Sequence, residues 1–160
     1  MKFRKFRLAG SIIGLALAAA IVAAAGGAGA ADDPANVIKY RRIVMGSMSN
    51  HISAIAGIVK GKVSYASHIA AHARAMHAMS NLLLDIFPEG SDIGKTRAKP
   101  EIWSQRAKFE DAVAAFRSES GKLALIADSG DMAAIGAQLK VVGKTCGGCH
   151  KPFRKKKKKN

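Results

Sequence analysis

The sequence predicts an all-α domain, an antiparallel four-helix bundle, on three observations. From Pro34 onward apolar residues recur at steps of three and four, with hardly any alternating run that would mark a strand. Breaks near Gly61, over residues 88–99 and over residues 128–131 divide this pattern into four segments. A chain of 160 residues, 49% hydrophobic, is long enough for one modest core. Four amphipathic segments on short or moderate connections hide their stripes most simply against one another.

The elements follow in order. Asp33-Pro34 gives the first helix a capping residue and a proline at the first helical position, where the missing N–H is harmless. Its inner stripe is Val37, Val44, Met48, Ile52, Ile55 and Val59. A second helix carries Ile69, Met76, Leu83 and Ile86 and is expected to stop near Phe87, because Pro88 and Gly90 follow. Pro100-Glu101 restarts the chain as a third helix with Ile102, Phe109, Val113, Phe116, Leu123 and Ile126 inside. In the fourth, Met132, Ile135, Leu139, Val142, Cys146, Cys149 and Phe153 step by three and four, so both cysteines lie on the inner seam. Pro152 is expected to kink this helix near its end. No internal repeat is visible.

Both ends of the chain carry charge of another kind. Lys2, Arg4, Lys5 and Arg7 precede an apolar stretch around residues 12–25 and the small residues Ala28-Gly29-Ala30, the three parts of a secretory signal. Residues 1–30 are therefore read as a signal peptide cleaved after about Ala30. The uncharged run approaches the roughly 20 residues of a membrane span, but its Ala/Gly richness and small-residue end favour cleavage. Removal of these four basic residues lowers the formal charge from +15 to +11. Lys155 to Lys159 form a basic tail over residues 155–160, solvated by default, with an anionic membrane surface as the alternative partner. Neither cluster lies on a folded face, which argues against nucleic acid as the partner.

The two cysteines stand in Cys146-Gly147-Gly148-Cys149-His150. C-x-x-C-H is a c-type haem attachment signature: two thiols add across the porphyrin vinyl groups and the adjacent imidazole reaches the iron. On a helix, positions 146, 149 and 150 share one face. A disulfide across so short a loop would constrain little. A thioredoxin-like pair would want a βαβ setting, zinc would want about four ligands, and an inert thiol pair leaves His150 unexplained. His51, His68, His72 and His77 are further imidazoles, read as solvent-facing or structural, although His68 and His72 are four apart on one helix. Only ten residues follow His150, so the rest of a haem pocket must come from upstream helices.

With these residues in view, the chain over residues 31–154 resembles cytochrome c prime, a family of periplasmic four-helix-bundle haem proteins. The resemblance is carried by Tyr40-Arg41-Arg42 with Met45, by Arg97-Ala98-Lys99-Pro100-Glu101-Ile102-Trp103, and by Cys146 to His150 with Arg154. It implies one haem c bound through Cys146 and Cys149, with His150 as the axial iron ligand. It also implies an apolar Met45 on the opposite face, Arg41 and Arg42 at the haem edge near the propionates, and Thr96 and Arg97 in a loop approaching the haem. Phe87 is expected to line the distal pocket, and Arg154 to lie close to His150. The resemblance further implies a five-coordinate iron that binds NO and CO, redox partner proteins, and a homodimer paired through the first two helices.

Such a site carries an electron or a gaseous ligand without transforming a substrate. Three other readings remain open on the sequence: Met45 as a sixth ligand in a pure electron carrier, a gas sensor whose dimer responds to ligand, and a weak haem enzyme. The last would need a polar acid–base residue near the iron, for which Met45 is a poor candidate.

Overall fold

The computed structural model describes residues 32–156. The expected leader, residues 1–30, and Lys157 to Asn160 of the expected tail lie outside these residues. Five α-helices occur among the described residues: α1 (Pro34–Val59), α2 (Ile69–Ser80), a single-turn α3 (Glu101–Ser104), α4 (Arg106–Ala127) and α5 (Met132–Phe153). The four long ones form the bundle. α1 packs on α2 and α5, and α4 packs on α2 and α5, so that each helix has two neighbours around a common core. No described helix is long and apolar enough to cross a membrane.

Local chemistry sets the helix ends. The Asp33 carboxylate accepts the Ala35 N–H at 2.9 Å and Pro34 follows at the first helical position. α1 stops where Gly61 takes a left-handed φ of 66°, with Gly61 N–H donating to Ile58 O and Lys62 N–H to Gly57 O, a pattern that satisfies the last carbonyls and favours glycine. Asp131 caps α5 by accepting from Ala133 and Ala134 N–H at 2.9 and 3.0 Å.

Two helices depart from the expected boundaries. α2 ends at Ser80, seven residues before Phe87. Asn81, Leu82 and Leu83 donate three residues back instead of four, and the chain continues as turns that still bury Leu83, Ile86 and Phe87. This unwinding turns the Ile86 carbonyl toward Arg41, whose Nε donates to it at 2.7 Å. The expected third helix is divided by Gln105, at φ −122° and ψ 46°, into α3 and α4. The break accompanies two ties to the preceding loop: Trp103 Nε1 donates to Pro88 O at 3.0 Å, and Arg106 reaches Phe87 O and Leu84 O.

α5 runs through Pro152 and ends one residue later. A proline this close to the terminus forfeits a single bond to the Gly148 carbonyl, and only Phe153 of the helix follows it. Beyond Phe153 the backbone extends and pairs with the loop before α3, Lys155 N–H donating to Arg97 O at 2.8 Å and Lys99 N–H to Phe153 O at 3.0 Å. Phe153 itself is buried edge-on against Phe109, which meets Phe87 in the same way. The last turn of α5, which carries His150, is thereby fixed from two sides.

Candidate functional site

A cavity of about 390 Å³ opens within the bundle and gathers most of the residues that the sequence marks for chemistry. α5 supplies Cys146, Cys149 and His150, together with Gly143 and Thr145, and Arg154 follows just beyond its end. α1 supplies Met45, Met48, Ser49 and Ile52, α2 supplies Met76, the turn after it Leu83, and α4 Ala112, Val113 and Phe116. Met48, Ile52, Met76, Leu83, Val113 and Phe116 were legible only as core stripe; the cavity is what that stripe encloses. Ser49, Ala112, Gly143 and Thr145 carried no sequence signal.

The helical register explains the convergence of thiols and imidazole. Cys146 and Cys149 are one turn apart and His150 is four residues after Cys146, so all three project from the face that α5 turns to the core. Both cysteines are free and half-buried. Burial pushes the Cys146 thiol up, and burial together with Cys146 pushes Cys149 up to about 11. His150 is shifted the other way, below the usual imidazole value, by burial first and then by the charges of Arg154 and Arg97. Its imidazole is thus held neutral, the form that ligates a metal. Arg154 Nη1 lies 3.3 Å from His150 Nδ1, and the backbone pairing of residues 97–99 with 153–155 brings Arg97 to the same corner.

The remaining expected site residues lie elsewhere. Arg41 is buried, 4% exposed, and does not line the cavity. Its five N–H groups go to Ile86 O, to Ser91 O from both terminal nitrogens, to Thr96 Oγ1 and to Ser91 Oγ. Within the protein its donors go to the loop after α2, and a place near a propionate stays what the family resemblance implies. Phe87, expected to line the distal pocket, is buried in the core and is not among the residues of the cavity wall. It lies 4.2 Å beneath the Arg41 guanidinium and packs on Phe109 and Trp103, a consequence of α2 ending early. Thr96 bonds Arg41 and Ala98 N–H. Arg42 and Arg97 are exposed, and neither is on the cavity wall.

The family profile described as Cytochrome C' matches residues 36–154, a span that covers all but the first two residues of the bundle helices and the whole cavity. The chain belongs to the cytochrome c' family. A cytochrome c' of Rhodospirillum rubrum is 38% identical over 125 residues, 78% of this chain and 85% of that protein. Among solved structures, the nitric oxide complex of a mutant of cytochrome c prime from Alcaligenes xylosoxidans matches with a TM-score of 0.72 at 35% identity. That match covers 78% of this chain and 98% of the other. A carbon monoxide-bound variant of cytochrome c prime from the same organism matches with a TM-score of 0.72 at 34% identity and the same coverage. The cofactor of a cytochrome c' is haem c. The residues present fit it: the cavity wall is mainly apolar, the thiols and the neutral imidazole share one face of it, and no side chain stands over Gly147 or Gly148.

Proposed function

We propose that this chain is an exported electron-transfer and gas-binding haem protein and not an enzyme, with Cys146 and Cys149 tethering haem c and His150 ligating its iron. The observation that carries this reading is the composition of the cavity. Two thiols, one neutral imidazole and a wall of Met45, Met48, Ile52, Met76 and Phe116 converge there. Haem supplies a reversible one-electron couple and an iron position for a small ligand. The protein's own part is to orient His150 through Arg154 and the latch at residues 97–99, to exclude bulk water with the methionines and Phe116, and to keep ionisable groups away from the Met45 side. α1, α2 and α4 contribute no acid, base or imidazole to the cavity wall, so nothing there can shuttle protons to a bound substrate.

Met45 is assigned as a packing residue that does not ligate, which leaves the iron five-coordinate and open to NO and CO. Optical spectra of the purified holoprotein test this. A high-spin ferric and ferrous spectrum that shifts on adding CO or NO is expected; a low-spin ferrous spectrum indifferent to CO would make Met45 a sixth ligand. Residues 1–30 read as a leader support export to the periplasm, and mass analysis of the exported product is expected to give a chain that starts near Ala31.

A homodimer paired through α1 is the second part of the reading. Tyr40 and Ile43 lie one turn apart on α1 and are 52% and 58% exposed, an apolar pair on one outward face of that helix. Sedimentation of the holoprotein is expected to give a dimer, and Tyr40→Glu with Ile43→Glu to give a monomer with an unchanged haem spectrum. A wild-type monomer at micromolar concentration would refute the assignment.

A further inference from the structure

Outside the cavity, α1 and α2 bring two imidazoles face to face. His51 on α1 and His72 on α2 point their Nδ1 atoms at each other across 2.9 Å, with ring centroids 5.2 Å apart and planes tilted by 53°. Both are partly buried, and neither ring has another hydrogen-bond partner among the described residues. A carbonyl or carboxylate often fixes which ring nitrogen carries the proton; neither ring meets one among the described residues.

We infer that His51 and His72 form a two-nitrogen chelate for a divalent first-row transition metal, copper(II) above the others, that clamps α1 to α2. Two nitrogens each about 2.0–2.1 Å from one ion stand roughly 2.8–3.4 Å apart for angles between square-planar and tetrahedral. The observed separation lies at the square-planar end, the geometry of copper(II), and copper(II) also stands highest in the general affinity order for nitrogen sites. A small rotation of each ring turns the two lone pairs from one another onto a shared ion. His68, one turn before His72, is stacked on Tyr65 at 5.1 Å and supplies no third ligand. Among the described residues no three such side chains converge, so water completes the coordination. The site uses none of the residues assigned to haem, and its test is independent of that assignment.

The test is a titration of the oxidised holoprotein with copper(II), read by electron paramagnetic resonance. One equivalent is expected to give an axial copper signal split by two imidazole nitrogens. The affinity is expected to fall at least about tenfold in both His51→Gln and His72→Gln and to be unchanged in His77→Gln, whose ring instead meets Ser120. Helical circular dichroism and the haem Soret band report folding in each variant. Should one variant fail to fold, the other and the nitrogen count in the unaltered protein decide the question. A signal with one nitrogen or none, or an affinity that survives both substitutions, overturns the inference.

Discussion

Changing Cys146 and Cys149 together to serine is expected to yield chain with no covalently held haem. The pigment should extract entirely into acidified organic solvent, whereas the unaltered protein keeps it. The same change should leave the protein grossly less stable. An empty cavity costs on the order of 24 cal/mol per Å³, so the 390 Å³ enclosed by Met45, Met48, Met76 and Phe116 would cost about 9 kcal/mol if it stayed dry and intact. That is comparable with the entire stability of a domain of this size, about 5–15 kcal/mol. Water entering from the open side lowers the figure, but even half of it is a large share, and the alternative is collapse of α1 toward α5. Haem-free chain should therefore keep helical circular dichroism while losing its cooperative melting transition. Single substitutions separate tether from stability, since either remaining thiol still holds the porphyrin in place. A double variant that melts cooperatively within a few degrees of the holoprotein would show that the helices pack without the cofactor, and that the cavity is not shaped by it.

The bundle was legible because its information is local and repeated. The step of three and four residues marks Ile69, Met76, Phe109, Val113, Leu123, Ile135 and Val142, all buried, and Asp33 announces the helix start that it caps. The attachment motif is local too, spanning five residues on one helix face. What the sequence hid depends on partners far along the chain. Ile102 and Phe109 are seven residues apart and fit one continuous helix, so the break at Gln105 left no trace in the pattern. Arg41 lies between the buried Ile38 and Val44 at three-residue steps, a spacing that marks it as inward-facing. Its partners were nonetheless hidden, because the carbonyls that accept its hydrogen bonds are 45 and 50 residues away in sequence. The packing of Phe87 on Trp103 and Phe109 was hidden for the same reason: it follows from where α2 unwinds, and α2 unwinds toward Arg41. The cavity itself is a property of four helices at once and could be read only as apolar stripes with nothing to say which of them face a void.

Arg41→Met should be the most damaging single substitution outside the attachment motif. Arg41 joins α1 to the long connection between α2 and α3, with hydrogen bonds of 2.7 Å to Ile86 O and 3.2 Å to Ser91 O and its guanidinium stacked 4.2 Å from the Phe87 ring. Burial holds its pKa below the usual arginine value, opposed by the nearby charge of Asp92, yet a guanidinium remains charged at any working pH. Methionine fills much of the same volume and removes the desolvation penalty of the cation. It also strands two carbonyls, each at about 1–3 kcal/mol when buried without a partner, and it loses the stacking of charge on aromatic face, worth about 1–2 kcal/mol more when desolvated. The carbonyls dominate, and a net loss of about 3 kcal/mol is expected, or a melting point lower by roughly 10 °C for a domain of this length. Arg41→Lys should recover less than half of this, because an ammonium cannot reproduce the planar fork that spans Ile86 and Ser91. Thermal denaturation of the three holoproteins, followed at the helical band, measures both differences. The Soret spectrum of Arg41→Met should stay where it is, since no donor of Arg41 is directed at the cavity. A spectral or potential shift without loss of melting temperature would return Arg41 to the haem edge and remove its role as the tie between α1 and the loop.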